Sequence, residues 1–353
     1  MHKRWKKTLT WAFSLALTAL LLYLFLWKAD LRRVFREASE VHLGWLGLAV
    51  GFEVVSVYVR AMRWRLMLQT VRPKIPLSSL VEATVVSFTL SGVMPGRLGE
   101  VGRPFLLARR ESLPFGSLLA SVVLERGLDL CALGVLWFSF VLFGSSGLPD
   151  DADTVMVVFT RLSYVLFGAA VLFGLLFLWL VPRRRVLDRM VRRSERLGRY
   201  PFIQRTVRKV LGFAEGLGTF QRKRTLVAVT ALSLTTWLLI AGSAWALFKG
   251  LGLDLPTIAS VMLVVFVSFG AAIPTPGGIG GVHKAIQMAL VLFYGVSEDT
   301  AVTAGIVGHA VMFFPGILWG LGYVALGRVG LGELKQVARA SSDAGDIEET
   351  ARP

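Results

Sequence analysis

The sequence contains no asparagine and a single cysteine among its 353 residues. Without asparagine there is no acceptor for N-linked glycosylation. The one thiol, Cys131, lies in an apolar stretch, and an intrachain disulfide is excluded because there is no second cysteine. The four histidines are far apart in the sequence, so no closely spaced pair indicates a metal site. We therefore predict a chain that works without a disulfide framework, a metal or a cofactor.

Long polar stretches are few, and 54% of the residues are hydrophobic, with a mean hydropathy of +0.63. A soluble domain averages roughly 45–50% apolar residues. Several apolar runs approach or exceed the ~20 residues that one bilayer crossing needs. The sequence therefore predicts an all-α polytopic membrane protein.

The formal net charge is +16, and most basic residues flank the apolar runs. The positive-inside bias produces this distribution, so nucleic-acid binding is not needed to explain the charge and is excluded. The basic N-terminus and the basic segment 183–224 are expected in the cytoplasm, and the acidic loop 150–153 is expected outside. Both termini are therefore predicted to be cytoplasmic. The excess of arginine over lysine and the absence of asparagine favour the inner membrane of a bacterium or the cell membrane of an archaeon.

Six segments are predicted to span the membrane: 9–27, 44–68, 115–143, 155–181, 226–248 and 301–327. Between the first two spans, apolar residues at helical spacing predict a short amphipathic helix at 31–40 on the outer surface. The arginines at the end of the second span, Arg60, Arg63 and Arg65, are interpreted as flanking positive charges. The segment 183–224 is either a pair of amphipathic helices on anionic headgroups or a solvated positive-inside loop.

The predicted domain organisation follows this order along the chain. It comprises an N-terminal helix and amphipathic connector at 1–43, a first half at 44–181 with a hairpin at 78–110, a basic cytoplasmic segment at 182–225, a second half at 226–328 with a hairpin at 257–295, and a tail at 329–353. The tail is polar and is predicted to be disordered.

One stretch of the sequence occurs twice: residues 87–103 reappear without a gap, though degraded, as residues 268–284. Each copy should interrupt a helix, because proline removes a backbone donor and glycine admits unusual dihedral angles. Paired broken apolar segments in matching halves indicate the binding site of a transporter. The residues predicted to form the two breaks are Pro95, Gly96, Gly99, Pro274, Pro276, Gly277, Gly278 and Gly280.

Two topologies satisfy the loop charges. If each broken segment is a re-entrant hairpin, the first enters from the cytoplasm and the second from outside, and the two halves are inverted repeats about an axis in the membrane plane. If both segments cross fully, the chain has about eight spans. The charged loops then stay on the same sides of the membrane, because each repeat adds an even number of membrane crossings. The Pro/Gly breaks favour the re-entrant hairpins.

Basic side chains in both copies suggest an anion site. A helix that begins after each break would point free N–H groups into a polar cavity, where they favour phosphate. Arg97 and Arg103 in the first copy, and His283 and Lys284 in the second, would add charge-assisted donors. A phospholipid headgroup fits these donors better than a sugar or a cation. The alternative is a pair of simple kinks with interfacial positive charges.

A second group of charges lies inside the predicted spans, where a charge facing hydrocarbon costs about 2.5 kcal/mol or more. Glu125 and Asp129 share a helix face, and Arg126 is one turn from Asp129. Arg126 either neutralises Asp129 as a structural pair or acts with these carboxylates and Glu100 on a headgroup. His309, alone in an apolar helix, is interpreted as an interior histidine with a hydrogen-bond partner.

Enzyme motifs are missing at the level of local sequence. Residues 277–284 resemble a phosphate-binding loop only superficially, because the glycine before the lysine and the hydroxyl residue after it are missing. No local Ser/His/Asp or Cys/His signature is found. Enzymatic activity is therefore not expected.

Three motifs together resemble a known family: Pro95-Gly96-Arg97-Leu98-Gly99-Glu100 with Arg103, Leu124-Glu125-Arg126-Gly127-Leu128-Asp129, and Pro274-Thr275-Pro276-Gly277-Gly278-Ile279-Gly280. Over roughly residues 8–328 the chain resembles the flippase-like membrane family, which includes the transmembrane region of bacterial lysylphosphatidylglycerol synthases (the multiple peptide resistance factor). The resemblance implies a module that moves lipid between leaflets, with the motif residues along the lipid path. No soluble aminoacyl-transferase domain follows the last span in this sequence, so synthesis of lysyl-lipid is not expected.

These observations lead to the hypothesis of a lipid flippase or scramblase with a polar cavity between two broken hairpins. The substrate-binding residues would be Arg97, Glu100, Arg103, Glu125, Arg126, Asp129, His283 and Lys284. The cargo would be an anionic or aminoacylated phospholipid, or a polyprenyl- or hopanoid-type lipid. The rival hypothesis is an integral-membrane enzyme or accessory subunit that acts on lipid-linked substrates. A second copy of the chain and a separate lipid-modifying enzyme are both left open as protein partners.

Overall fold

The computed structural model describes residues 2–93, 99–144 and 223–330, together with isolated positions within 157–172 and 332–336. Several predictions fall mostly or wholly outside the described residues: the first break at Pro95 and Gly96, Arg97, the span 155–181, the basic segment 183–224 and the tail. Within the described ranges, all regular secondary structure is helical.

The described α-helices are α1 His2–Leu26, α2 Leu31–Ser39, α3 Leu43–Met67, α4 Leu77–Val93, α5 Gly99–Glu111, α6 Phe115–Phe143, α7 Lys223–Gly250, α8 Thr257–Ala272, α9 Gly281–Tyr294 and α10 Glu298–Ala325. Five of them are long and apolar enough to cross a membrane, namely α1 (from Thr8), α3, α6, α7 and α10. They coincide with five of the six predicted spans. The prediction of an all-α polytopic membrane protein is confirmed.

Helices α3 to α6 and α7 to α10 are two copies of one arrangement. Each copy has a long helix, a hairpin of two shorter helices and a second long helix. The shift of 181 residues that aligns Ser87 with Ser268 also brings the start of each first-half helix to within two residues of its counterpart. The packing has the same two-fold relation, because α4 packs on α10 as α8 packs on α6, and α3 contacts α10 as α7 contacts α6.

Helices α3 and α7 pack against each other across the axis that relates the two halves. Trp45 near the start of α3 contacts Trp245 near the end of α7, with ring centroids 5.3 Å apart. Arg63 near the end of α3 donates to Ser233 near the start of α7. The two helices are therefore antiparallel. Because they are equivalent members of the two halves, the halves are inverted, and the predicted inverted repeat is confirmed.

Each pair of short helices forms an antiparallel hairpin. In the first hairpin, Ser87 Oγ donates to the Gly99 carbonyl near the tip at 2.7 Å, and Ser79 Oγ donates to Glu111 at the open end at 2.9 Å. In the second hairpin, α8 packs along α9, and a short 3-10 helix, Pro276–Gly278, forms part of the tip. The two hairpins supply the inner walls of the molecule between the long helices.

The tip of the second hairpin adopts glycine backbone conformations. Gly277, Gly278 and Gly280 have φ angles of 60°, 70° and 84°, a region that residues with a Cβ rarely occupy. A Cβ on Gly277 would also lie only 3.1 Å from the Gly92 carbonyl of α4. The second break therefore lies against the end of α4, beside the point where the first break begins.

Helices α1 and α2 pack on the second half. α1 contacts α9 and the second break, and the Gln287 amide donates to the Phe25 carbonyl at 3.2 Å. The predicted amphipathic helix is present as α2, with Val34 buried and Phe35 exposed. Glu37 of α2 accepts hydrogen bonds from Thr300 and Thr303 of α10, each at 3.2 Å. α2 therefore packs on the first turns of α10 and keeps its other face at the surface.

Single-cysteine labelling should place the end of α3 and the end of α7 on opposite sides of the membrane. In a Cys131→Ser background, we expect Gln69→Cys and Asp254→Cys to react with an impermeant maleimide from opposite sides, because the two helices are antiparallel. Ser112→Cys, just after the first hairpin, should react from the same side as Gln69→Cys. Reaction of Gln69→Cys and Asp254→Cys from one side would contradict the inversion.

Candidate functional site

The charged residues of the first half form one buried cluster. Arg63 of α3 is fully buried and lies between two carboxylates of α6. Its guanidinium donates to Glu125 Oε1 at 2.7 Å and to Asp129 Oδ1 at 2.6 Å. It also donates to Ser233 Oγ of α7 at 2.9 Å. Arg63 therefore joins α3, α6 and α7 at the interface between the halves.

Arg103 connects the first hairpin to the same cluster. Its guanidinium donates to both oxygens of Glu125, with Nη1 3.2 Å from Oε1, and its Cζ lies 4.2 Å from the centroid of the Trp64 ring. The Trp64 indole is itself fixed by a 2.8 Å hydrogen bond to Ser121 Oγ. A guanidinium held between a carboxylate and an aromatic face combines a charge-assisted bond with a cation–π contact. These contacts hold α5 against α3 and α6.

Arg126 is the most exposed arginine of the cluster. Its side chain is 37% exposed, and its guanidinium lies 3.3 Å from Glu125, 3.4 Å from Asp129 and 3.8 Å from Glu100. Its Nε has no hydrogen-bond partner among the described residues. The predicted pairing of Arg126 with Asp129 is therefore present, but it is looser than the 2.6 Å contact between Arg63 and Asp129.

The cluster tolerates burial because its charges alternate in sign. Three arginines face three carboxylates, and each group has an opposite charge within 4 Å. Removing two isolated ions from water costs several kcal/mol each, and only close partners with good geometry offset that cost. Loss of one member therefore leaves an uncompensated charge beside the others.

A cavity of about 600 Å³ adjoins the cluster and lies between the two halves. Its charged wall comes from the first half and consists of Glu53, Arg60, Glu100, Arg103, Arg126 and Asp129. The opposite wall comes mainly from α7, α8, the second break and α10, and includes Trp237, Ile240, Val264, Ser268, Thr275, Gly277, Gly278, Met312 and Phe313. The cavity thus has one charged side and one largely apolar side.

A histidine pair holds the backbone of the second break. His309 of α10 is 5% exposed, and its Nε2 lies 2.9 Å from the Gly277 carbonyl, so it has the partner that an interior histidine requires. His283 stacks on His309 with ring centroids 4.4 Å apart, and its Nδ1 accepts from the Gly280 N–H at 3.4 Å. These contacts fix the part of the cavity wall formed by Gly277 and Gly278.

The structure brings together five of the eight predicted substrate-binding residues: Glu100, Arg103, Glu125, Arg126 and Asp129. It does not bring His283 and Lys284 to the cluster or to the cavity lining. Lys284 Nζ instead donates to the Leu24 carbonyl of α1 at 3.2 Å and to Gln287 Oε1 at 2.8 Å. Whether any of these residues binds substrate stays a prediction.

The predicted set of substrate-binding residues omitted Arg60 and Arg63. Arg60 lines the cavity, and Arg63 is at the centre of the charged cluster. Both were interpreted as positive charges flanking the end of a span. Helix α3 continues to Met67, so Arg63 lies one full turn inside its end. The spacing of seven residues did place Arg60 on one helix face with Glu53, but it gave no contact between α3 and α6 that would have identified Arg63.

These features define a class of protein: a polytopic helical membrane protein built from two inverted halves, each with a hairpin beside a shared cavity. The chain belongs to the family described as the lysylphosphatidylglycerol synthase transmembrane region, whose sequence model matches residues 11–320.

The chain is also similar to three other proteins. The glycosyltransferase AglD of Haloferax volcanii is 26% identical over 347 residues, covering 91% of this chain and 55% of the relative. A UPF0104 membrane protein of Methanothermobacter thermautotrophicus is 23% identical, covering 81% of this chain and 85% of the relative. Another from Methanocaldococcus jannaschii is 25% identical, covering 65% of this chain and 91% of the relative. The chain thus spans about half the length of AglD and most of each UPF0104 protein.

Proposed function

We propose that this protein moves the headgroup of a phospholipid or lipid-linked molecule across the membrane through the cavity between its two hairpins. The observation that carries the proposal is a cavity with charged groups of the first half on one wall and a broken helix of the second half on the other. Ionisable residues inside a membrane are costly and usually mark a substrate path. The UPF0104 relatives and the family match support a membrane role without specifying the cargo.

The size of the cavity suits a headgroup rather than a whole lipid. Pockets of about 300–1,000 Å³ enclose ligands of drug size, and this cavity of about 600 Å³ falls in that range. In the proposed mechanism the polar headgroup enters the cavity while the acyl chains stay in the surrounding lipid. Anionic, aminoacylated, polyprenyl-linked and hopanoid-type lipids are all candidate cargo.

Re-entrant hairpins are part of the proposal. The four hairpin helices have 17, 13, 16 and 14 residues, so at 1.5 Å per residue the longest measures about 26 Å. The hydrocarbon core is about 30 Å thick. These lengths support hairpins that enter the membrane and return, one from each side, and Gly92 at the end of α4 lies against Gly277 of the second break. Irregular backbone at that depth is tolerated where it lines a polar cavity.

A second candidate is a role in chemistry on lipid-linked substrates. It is favoured by the name of AglD, a glycosyltransferase of which this chain covers 55%. In that case the cavity would bind a lipid-linked substrate for an enzyme, and the purified chain alone would not move lipid between leaflets.

Reconstitution distinguishes the two candidates. Liposomes of phosphatidylglycerol and phosphatidylcholine carry a trace of fluorescent phosphatidylglycerol in both leaflets, and dithionite bleaches the outer label. If the protein translocates lipid, the inner label should bleach faster than in protein-free liposomes. Arg126→Gln should slow this phase about tenfold, because a charge-assisted hydrogen bond contributes roughly 1.5–3 kcal/mol.

Arg65→Gln provides the matched control, because Arg65 is exposed and does not line the cavity. It should exchange lipid at the wild-type rate. A folded, monodisperse wild-type protein that leaves the inner label protected would contradict translocation and favour the role in lipid-linked chemistry.

A further inference from the structure

We infer that Arg60 and Arg126 form a phosphate-binding site on the charged wall of the cavity. This inference rests on the proposed function, since it names the chemistry of the group that the lipid path would hold. A phosphodiester in a lipid headgroup and a free phosphate ester share this chemistry.

Arg60 is a cation without a direct ion-pair partner among the described residues, although the charges of Asp129 and Glu125 act on it. It lines the cavity from α3 and forms no ion pair or hydrogen bond with any described residue. Its guanidinium carbon instead lies 5.7 Å from the centroid of the Trp237 ring. That ring is fixed at its other edge, where the indole nitrogen donates to Asp129 Oδ1 at 3.2 Å. Trp237 thus positions Arg60 beside the cluster while leaving its N–H donors available.

Arg126 supplies the second cation. It lines the same cavity as Arg60, and the charges of both Asp129 and Arg126 act on that of Arg60. Its contacts to carboxylates are 3.3–3.8 Å long, and its Nε has no partner among the described residues. Arg63 and Arg103 differ, because short bonds to Glu125 and Asp129 hold their guanidinium groups in place, even though the Nε of Arg63 also has no partner among the described residues. Arg126 is therefore held more loosely than Arg63, and a new anion in the cavity competes for it more readily.

Available donors, rather than a surplus of positive charge, favour an anion at this position. Among the described residues, four arginines meet four carboxylates here, because Glu53 lines the same cavity and its charge and that of Arg60 act on each other. Two neighbouring cations repel each other when empty and are both stabilised by a shared phosphate. A phosphate in the cavity would accept from the donors of Arg60 and from the Nε of Arg126, which have no hydrogen-bond partner among the described residues.

Equilibrium binding to the purified full chain in a zwitterionic detergent tests the site. The probes are dioctanoyl-phosphatidylglycerol, dioctanoylglycerol (which lacks the phosphate) and glycerol 1-phosphate (which lacks the chains). Wild-type protein should bind dioctanoyl-phosphatidylglycerol more tightly than dioctanoylglycerol. Arg60→Gln and Arg126→Gln should each raise the Kd for the phosphatidylglycerol about tenfold or more, while Arg65→Gln should leave it unchanged. The Kd for dioctanoylglycerol should stay the same in all four proteins.

Several outcomes decide the inference. An unchanged Kd in a folded Arg60→Gln protein would overturn it, as would an equal loss of affinity for dioctanoylglycerol. If glycerol 1-phosphate binds as tightly as the lipid, the anion site stands but its ligand is a soluble phosphate ester. If Arg60→Gln loses lipid binding and still exchanges lipid at the wild-type rate, the anion site stands and the proposed path through it fails. A wild-type protein that binds phosphatidylglycerol but exchanges no lipid likewise supports the site and contradicts the proposed function.

Discussion

Replacing Arg63 with methionine is expected to lower the free energy of unfolding by about 3–5 kcal/mol, because it removes one partner from a buried ion network. Methionine keeps much of the volume but none of the donors. Glu125 would retain Arg103 and Arg126, whereas the contacts left to Asp129 among the described residues would be Arg126 at 3.4 Å and the Trp237 indole at 3.2 Å. Denaturant or thermal unfolding of the purified protein in detergent measures the loss.

Arg65 offers the matched control for this prediction, because it is exposed two residues further along the same helix. Arg65→Met should stay within about 0.5 kcal/mol of the wild type. The double variant Arg63→Met/Asp129→Asn removes one charge of each sign, so it should lose less stability than the sum of the two single variants. Equal stabilities of Arg63→Met and Arg65→Met would show that the network does not hold α3, α6 and α7 together.

The fold was largely predictable because it follows from two strong signals. Apolar runs of span length defined five described helices, and the repeat of residues 87–103 at 268–284 gave the relation between the halves. Loop charge then indicated inversion, which the antiparallel packing of α3 on α7 confirms. Re-entry of the hairpins stays a prediction, because it depends on where the two membrane surfaces lie along the hairpin helices.

The site was only half predictable, because spacing along one helix says little about contacts between helices. Glu125, Arg126 and Asp129 were found since they share a helical turn in an apolar span. Arg63 was missed because a basic residue near a helix end normally snorkels toward headgroups. Its actual partners are 62 and 66 residues away in the sequence, on α6. Only the packing of α3 against α6 brings them together.

The charges are not duplicated with the fold. The shift of 181 residues pairs Arg63 with Ala244, Glu125 with Ile306 and Asp129 with Ala310. The second half therefore repeats the helices without the cluster, and its wall of the cavity is shaped by backbone and apolar groups. The sequence-based hypothesis placed basic side chains of both copies in one cavity, whereas Lys284 of the second copy donates to the Leu24 carbonyl of α1. Two-fold symmetry in this molecule determines the shape of the cavity, while its charge comes from one half.

The second large expected effect is a loss of stability when a glycine between two closely packed hairpin helices is replaced by alanine. A Cβ on Gly270 of α8 would lie 2.5 Å from the Gly281 carbonyl and 2.8 Å from the Ala285 Cβ of α9. Because the nearest atom is backbone, the neighbour cannot rotate away, and the two helices must separate. Gly270→Ala should therefore cost about 3 kcal/mol, the upper end of the usual range for overpacking. Unfolding in detergent measures the stability, and the dithionite assay should show a parallel loss of lipid exchange if the hairpin lines the path.

Gly51 of α3 is the matched control, because it is also helical and a Cβ there would meet nothing within 4 Å. Gly51→Ala should be neutral or stabilising by up to about 1 kcal/mol, since alanine has the higher helix propensity. The first hairpin provides an independent repetition of the test, because a Cβ on Gly99 would clash with the Ser87 carbonyl of α4. Gly99→Ala should thus resemble Gly270→Ala, and behaviour like that of Gly51→Ala at both positions would mean that the hairpin helices are not held in backbone contact. The two hairpins are expected to respond alike because in each a glycine lies against the backbone of the facing helix, although the two glycines do not occupy equivalent positions of the repeat.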